Sequence, residues 1–306
     1  LALNRYPDPA ARTLVASIRR SLALPDDQEI LLGNGSDELI QMIAMAVAVK
    51  GRVLLAPEPG FVMYRLIAEF VGLEYQGIPL NAKDFSLDMP AMLTAIREKQ
   101  PAVIFLAYPN NPTGNHWRRE DIEAIIEAAE GLVVLDEAYA PFAADSFMQD
   151  LGKMPNLLVM RTLSKFGLAG IRLGYLCGAA VWLQEFDKLR LPYNINVMTQ
   201  ATAEFALEHS DEFDRQAQSI KQSRQVLQDA LGEFPEFRVF PSDANFILFR
   251  TAAGQAGQIF DSLLTQGILI KNLSPQAGLL TDCLRVTVGT SEENQALIAA
   301  LSEAVR

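Results

Sequence analysis

The sequence is poor in the residues on which many catalytic and metal sites depend. It has two cysteines, Cys177 and Cys283, and two histidines, His116 and His209, among 306 residues. Two cysteines cannot form the disulfide framework of a small secreted domain, so we predict a reducing, cytoplasmic compartment. The histidines stand outside any cluster of ligand-type residues, so no metal site is predicted. Acid–base chemistry must therefore come from lysine, aspartate, glutamate or tyrosine.

Long apolar runs and a positive net charge are also absent. No run reaches the roughly 18 apolar residues of a membrane-spanning helix, and the most apolar helix-like stretch, Leu39–Val49, ends at Lys50. The chain has 26 basic and 37 acidic residues and a net charge of −11, which argues against nucleic acids and membranes as partners. Hydrophobic residues make up 50% of the chain, which is enough for a large core and excludes a disordered protein.

Short apolar runs alternate with segments of helical periodicity through the first part of the chain. Seven strands are predicted, at Ile30–Gly33, Arg52–Ala56, Leu73–Ile78, Ala102–Ala107, Leu132–Asp136, Leu157–Arg161 and Leu173–Cys177. The intervening helices are predicted at Asp37–Lys50, Gly60–Val71, Met89–Gln100 and Arg119–Ala129. Continuous apolar strands separated by helices are typical of a mostly parallel sheet between helix layers, so the predicted fold class is α/β.

The pattern after Leu183 is that of a smaller α+β unit. Val197–Leu231 is predicted as a helix that is broken or bent near Ser210. Strands are predicted at Phe237–Phe240, Asn245–Arg250, Ile268–Lys271 and Leu284–Val288, and helices at Ala256–Gln266 and Glu292–Val305. We therefore predict a large domain over residues 1–210 and a small C-terminal domain over residues 211–306.

Two short motifs follow predicted strands and contain groups that bind anions or ligand oxygens. Gly33–Glu38 opens a helix, and the free N–H groups at Ser36 and Asp37 can attract a phosphate, although an ordinary capped turn has the same composition. The segment does not match the G-x-G-x-x-G pattern of dinucleotide-binding proteins, because Glu38 stands where that pattern has its last glycine. Tyr108–Gly114 places amide donors at a strand end, where a Pro/Asn/Gly turn is the alternative interpretation.

Two further motifs place an aspartate and a lysine at strand ends. Asp136 closes an apolar strand, where a buried carboxylate needs a partner such as a cationic ring nitrogen or a metal, unless it caps a helix or forms a structural salt bridge. Lys165 lies in Thr162–Arg172, and burial near Arg172 would lower its pKa and make it nucleophilic, whereas an ordinary loop lysine would be exposed. An anion site, amide donors, a buried aspartate and a reactive lysine on one rim are the groups that pyridoxal 5′-phosphate (PLP) requires.

With these motifs in order, the sequence resembles the fold-type I PLP-dependent aminotransferases over nearly its whole length. Within them it is most similar to the histidinol-phosphate aminotransferases. The resemblance rests on Leu3–Pro7, Gly33–Glu38, Pro109–Gly114, Asp136–Tyr139, Thr162–Arg172 and Cys283–Thr290. It implies a large domain with a seven-stranded, mostly parallel sheet between helices and a smaller C-terminal α+β domain.

The resemblance also implies roles for individual residues around the cofactor ring. Lys165 would bind PLP covalently and then act as the acid–base group. Asp136 would keep the pyridine nitrogen protonated, and Asn111 and Tyr139 would hydrogen-bond the phenolic oxygen. Phe61 would stack on the ring, in a place where the family commonly has tyrosine.

The remaining roles concern the phosphate, the substrate and a second subunit. The residues expected to hold the cofactor phosphate are Ser36, Asp37, Ser164 and Arg172, joined by Tyr6 from a neighbouring subunit. That arrangement implies a homodimer in which residues 1–20 lie at the interface. Arg285 and Asn111 would bind substrate, Arg285 through its α-carboxylate. Tyr64 is either a substrate-side group or a core residue.

The implied reaction converts histidinol phosphate and 2-oxoglutarate to imidazole-acetol phosphate and glutamate, in histidine biosynthesis. An aromatic or other L-amino-acid aminotransferase is the nearest alternative, and a PLP-dependent decarboxylase of amino-acid phosphates shares the scaffold. The family also has an N-terminal arm ahead of Asn4–Pro7 that closes over the substrate. Some of the substrate's ligands are therefore expected from such an arm.

Overall fold

The computed structural model describes residues 1–305 and contains ten α-helices and eleven strands in that range. The helices are α1 (Arg12–Leu22), α2 (Gly35–Ala46), α3 (Met63–Val71), α4 (Met89–Lys99), α5 (Arg119–Ala128), α6 (Ala180–Asp187), α7 (Val197–Glu208), α8 (Ser210–Gly232), α9 (Ala256–Thr265) and α10 (Ser291–Ala304). The strands are β1 (Gln28–Asn34), β2 (Val53–Glu58), β3 (Glu74–Pro79), β4 (Val103–Ala107), β5 (Leu132–Asp136), β6 (Leu157–Thr162), β7 (Leu173–Ala179), β8 (Arg238–Val239), β9 (Phe246–Arg250), β10 (Lys271–Asn272) and β11 (Cys283–Thr287). Within this range, none of the helices combines the length and apolarity that a membrane span needs.

The large sheet has seven strands in the order β1-β7-β6-β5-β4-β2-β3. Neighbouring strands from β6 to β3 pair in parallel, whereas β7 runs antiparallel to both β1 and β6. The reversal follows from the connection, because short 3₁₀ turns rather than a crossover helix join β6 to β7. The predicted α/β class with a seven-stranded, mostly parallel sheet is confirmed.

Alternate residues of the strands face two separate cores, as expected for a sheet covered on both sides. One core contains Ile104, Leu106 and Val133 from the strands, packed with α1, α4, α5 and α7. The other contains Phe105 and Val134, packed with α2, α3 and α6. The central strands are buried throughout, which is why their sequences are continuous apolar runs.

The C-terminal unit is built on a four-stranded antiparallel sheet in the order β10-β11-β9-β8. Helices α8, α9 and α10 cover it through a core that includes Leu227, Leu263 and Leu301. The predicted break near Ser210 is confirmed, since α7 ends at Glu208 and α8 begins at Ser210. Strands β8 and β10 are each two residues long, shorter than the predicted runs. The domain boundary at residue 210 stays a prediction.

Two helices, α1 and α6, are missing from the sequence prediction. Residues 1–20 were expected only as an interface segment, yet α1 places Leu14 and Ile18 in the core of the large sheet. Helix α6 similarly buries Leu183 and Phe186. Helix α1 has Leu14, Val15, Ile18 and Leu22 at helical spacing, a signal that was available in the sequence, whereas α6 is only eight residues long.

The loop before α4 connects the two sheets through an aromatic contact. Phe85 is fully buried, and its ring meets the Phe240 ring edge-on at a centroid distance of 4.8 Å. Its carbonyl oxygen accepts hydrogen bonds from Asn115 Nδ2 at 3.1 Å and from Trp117 Nε1 at 3.2 Å. The contact therefore holds the C-terminal unit against the loop that follows β4.

Replacing Phe85 with alanine tests this contact. Because the substitution leaves a cavity in a close-packed core, the free energy of unfolding should fall by about 3–5 kcal/mol. Urea denaturation followed by circular dichroism measures the loss. Phe70→Ala is the control, since Phe70 is 77% exposed and its removal should change stability little. Equal effects of the two substitutions would contradict the assignment.

Candidate active site

The candidate site is a cavity of about 130 Å³ at one rim of the large sheet. The carboxyl ends of β4, β5 and β6 meet at this rim together with the start of α2. Because β7 runs in the opposite direction, its amino end lies there too, and Arg172 immediately precedes it. The lining residues are Ser36, Asp37, Phe61, Ala107, Pro109, Asn111, Asp136, Ala138, Tyr139, Thr162, Ser164, Lys165 and Arg172. Nine of them are predicted cofactor residues.

Asp136 is a buried carboxylate at the end of β5. Its Oδ2 accepts a 2.7 Å hydrogen bond from the Tyr64 hydroxyl, and its Oδ1 accepts one from the Ala138 N–H at 3.1 Å. Burial is the main cause that raises the pKa of Asp136 to about 6, while these two donors lower it. The carboxylate therefore remains available as the partner of a cationic ring nitrogen.

Lys165 lies on the 3₁₀ turn Leu163–Phe166 directly after β6, and its Nζ is 5.5 Å from the centroid of the Tyr139 ring. Burial lowers the pKa of Lys165 most, and the positive charges of Arg285 and Arg172 lower it further. Asp136 opposes them. A partly buried amine with a lowered pKa is the form of lysine that reacts with a carbonyl group.

A tight anion cradle lies where α2 begins. Gly35 has a φ of 75°, and a Cβ at this position would stand 2.8 Å from Arg172 Nη2. On β7, a Cβ at Gly174 would stand 2.6 Å from the carbonyl carbon of Gly35. Arg172 Nη2 lies 3.2 Å from Asp37 Oδ2. The two glycines therefore allow the helix start and the guanidinium to approach the same point, as phosphate binding requires.

Thr162 also lines the cavity, although no role was predicted for it. Its Oγ1 lies 2.9 Å from Ser164 Oγ and accepts a hydrogen bond from the Ser164 N–H at 3.1 Å. It thereby orients the turn that contains Lys165. A hydroxyl residue two positions before Ser164 is a local capping pattern, and this signal was available in the sequence.

The C-terminal unit contributes Arg285 from β11. Arg285 Nη1 donates a 2.7 Å hydrogen bond to Asn111 Oδ1, and its guanidinium lies 4.6 Å from the centroid of the Phe246 ring. Burial lowers the pKa of Arg285 from its ordinary value, although a guanidinium remains charged. The predicted substrate residues Asn111 and Arg285 are therefore in direct contact.

Three predicted residues are absent from the described lining of the cavity: Arg285, which reaches it only through its hydrogen bond to Asn111, and the two tyrosines Tyr64 and Tyr6. Tyr64 is 1% exposed and is absent from the described lining, so the structure favours a core position over a substrate-side one. Tyr6 is 81% exposed and stacks on Tyr193 at a centroid distance of 4.5 Å. Tyr6 therefore makes no contribution to the cavity of its own chain.

The donor set matches the charged groups of PLP. The cradle of Gly35 and Arg172 suits a phosphate, and Asp136 suits a pyridinium. Lys165, with its lowered pKa, faces the ring of Tyr139 in the same cavity. Among residues 1–305 no group of metal-ligating side chains is assembled.

Comparison with known proteins identifies the family. The family model for class I and II aminotransferases matches residues 2–301. The chain belongs to this family. A histidinol-phosphate aminotransferase of Nitrosococcus oceani is 60% identical over 98% of this chain and 83% of its own length. One of Chromobacterium violaceum is 53% identical over 98% of this chain and 84% of its own length.

Solved structures of aminotransferases have the same fold. The histidinol-phosphate aminotransferase of Clostridium acetobutylicum superposes with a TM-score of 0.91 at 26% identity, covering 98% of this chain and 90% of that one. The enzyme of Sinorhizobium meliloti, solved with PLP, has a TM-score of 0.89 at 28% identity, covering 99% of this chain and 83% of that one. This aminotransferase is PLP-dependent, as predicted. The roles of its individual site residues stay predictions.

Gly35→Ala tests the anion cradle of this aminotransferase. The new Cβ would crowd Arg172, so the affinity of the apoenzyme for PLP should fall at least about tenfold, the loss expected for one charge-assisted hydrogen bond. Gly51→Ala is the matched control, because Gly51 has a φ of 82° and open space around its Cβ. Both substitutions place a side chain on a residue with left-handed backbone, which costs similar stability. Only Gly35→Ala should weaken PLP binding, as measured by equilibrium dialysis. Equal affinities in the two variants would contradict the cradle.

Proposed function

We propose that this aminotransferase transfers the amino group between histidinol phosphate and 2-oxoglutarate, in histidine biosynthesis. The observation that carries the proposal is the 60% identity, over 98% of the chain, to a protein named as a histidinol-phosphate aminotransferase. The second relative described above bears the same name at 53% identity. The cavity supplies the groups that the cofactor chemistry needs.

The residues around the cofactor have separate roles in this proposal. PLP supplies an electron sink that stabilises negative charge at the substrate α-carbon. Asp136 holds the proton on the ring nitrogen, and Asn111 and Tyr139 donate to the phenolic oxygen. Lys165 would hold the cofactor, and its Nζ would move a proton at the substrate α-carbon. Phe61 packs against the ring.

The phosphate of the cofactor would be held at the rim by Ser36, Asp37, Ser164 and Arg172. The first two contribute backbone N–H groups from the start of α2, and Arg172 adds a guanidinium at the same point. These contacts would anchor the cofactor beside Lys165.

Arg285 has to serve two different substrates. Glutamate and 2-oxoglutarate present an α-carboxylate, whereas histidinol phosphate has no carboxylate and presents a phosphate ester instead. A guanidinium can make two parallel hydrogen bonds to either anion. The hydrogen bond from Arg285 Nη1 to Asn111 Oδ1 holds the guanidinium in place. We infer that Arg285 binds the carboxylate of one substrate and contacts the phosphate of the other.

We further infer that the enzyme is a homodimer in which Tyr6 reaches the phosphate of the neighbouring subunit's cofactor. Tyr6 is exposed and remote from its own cavity, and it stacks on Tyr193. Exposed apolar side chains at Leu1, Leu3 and Leu191 support an interface there. The cytoplasmic location stays a prediction, supported by two cysteines that are unpaired.

Single-turnover rates with different amino donors test the substrate. Histidinol phosphate should react with the PLP enzyme at least about a hundredfold more efficiently than phenylalanine or leucine, because those two amino acids lack its phosphate ester and its imidazole ring, and groups of the site that bind these would be left unpaired. The absorbance change of the cofactor and the keto product are both measured. Faster reaction of phenylalanine would instead make the enzyme an aromatic aminotransferase, and release of carbon dioxide from an amino-acid phosphate would make it a decarboxylase.

Chemical trapping tests the role of Lys165. Reduction of the holoenzyme with borohydride should attach PLP permanently to this residue, since its lowered pKa favours the reactive free amine. Peptide mass mapping locates the label. Lys165→Ala should abolish both the label and the reaction, and Lys153→Ala, which changes an exposed lysine paired with Asp150, should affect neither. A label on another lysine would overturn the assignment.

A further inference from the structure

Tyr64 touches two residues of the PLP site without lining the cavity. Its hydroxyl donates a 2.7 Å hydrogen bond to Asp136 Oδ2. Its ring stacks on Phe105 of β4 at a centroid distance of 4.8 Å and an interplanar angle of 17°. On another side it meets the ring of Phe61 edge-on at 5.5 Å. One buried side chain on α3 thus contacts both the carboxylate and the aromatic ring that are expected to face the cofactor.

The Asp136 carboxylate accepts two hydrogen bonds, one from the Tyr64 hydroxyl and one from the Ala138 N–H. Each carboxylate oxygen accepts one of these bonds and keeps a free lone pair for a further donor. The two bonds therefore restrict the rotation of the carboxylate and leave it able to pair with a cation from the cavity side.

We propose that Tyr64 is a positioning residue for PLP, which orients and charges the Asp136 carboxylate through its hydroxyl and holds Phe61 in place through its ring. The inference rests on the proposed pairing of Asp136 with the ring nitrogen. It is independent of which amino donor the enzyme uses.

The ionisation of both groups agrees with this role. Burial and the negative charge of Asp136 keep the pKa of Tyr64 well above its usual value, so its hydroxyl remains a donor. The bond from Tyr64 lowers the pKa of Asp136, against the burial that raises that pKa to about 6. Other charges act on the same carboxyl, since Asp37 and Glu137 raise its pKa and the cation of Lys165 faces it.

Removing the hydroxyl should therefore raise the pKa of Asp136. In Tyr64→Phe, the carboxyl would become neutral at a higher pH than in the parent enzyme, and a neutral carboxyl cannot pair with a pyridinium. The pH at which PLP affinity declines should then move upward by about one unit, the shift equivalent to one hydrogen bond to a charged group. At pH values below about 6 the variant should bind PLP about tenfold more weakly, and the difference should disappear as the pH rises above the pKa of both carboxyls.

Tyr108→Phe provides a matched control in the same chain. Tyr108 is also a buried tyrosine, and its hydroxyl donates to Asp145 Oδ2 at 2.9 Å. Asp145 is absent from the described lining of the cavity. PLP affinity is measured on the apoenzyme by equilibrium dialysis between pH 5 and 9. Tyr64→Phe should shift the profile and Tyr108→Phe should leave it unchanged. Identical profiles for the two variants would overturn the inference.

A double substitution separates this inference from the proposed role of Asp136. Asp136→Asn should weaken PLP binding, and adding Tyr64→Phe to it should cause little further loss if Tyr64 acts through the carboxylate. Unchanged binding in Asp136→Asn would refute the role of Asp136 and the inference together. A full additional loss in the double variant would refute the inference alone.

Discussion

The site depends on one topological constraint, the meeting of strand ends at a single rim of the large sheet. Parallel strands β4, β5 and β6 all finish there, so the residues that follow them are neighbours in space although they are far apart in sequence. The reversed strand β7 brings Arg172 to the same rim from the opposite direction. A fully parallel sheet would have carried the residue before β7 to the other edge, away from the start of α2.

Electrostatics at this rim differ from those of the whole molecule. The chain has a net charge of −11, yet the cavity region holds Lys165, Arg172 and Arg285 close to two carboxylates. Burial strengthens each interaction and moves the pKa of Lys165 and that of Asp136 in opposite directions. The cations lower the pKa of the lysine, and Asp136 limits that effect. A phosphate and a pyridinium would therefore enter a site whose charges already complement them.

Most of the site could be predicted from the sequence because each motif follows a recognisable strand. The apolar runs before Asp136 and Thr162 are unambiguous, and the turn at Gly35 and the lysine after β6 are local features. Thr162 was missed although its capping pattern is local. Helix α1 was also missed, although Leu14, Val15, Ile18 and Leu22 stand at helical spacing in the sequence.

The sequence by itself determined the fold class, the order in which strands and motifs follow one another, and the chemical types of the site residues. Buried strands require continuous apolar runs, and the turn at the start of α2 requires a glycine, so both features are visible in the sequence. Only the tertiary structure decided which side chains meet. Asn111 and Arg285 are 174 positions apart and form a hydrogen bond because β11 lies beside the loop after β4. Tyr64 could be a core or a substrate residue in the sequence, and it became a partner of Asp136 because α3 packs on β4 and β5. Such contacts depend on packing between distant segments, which no local pattern records.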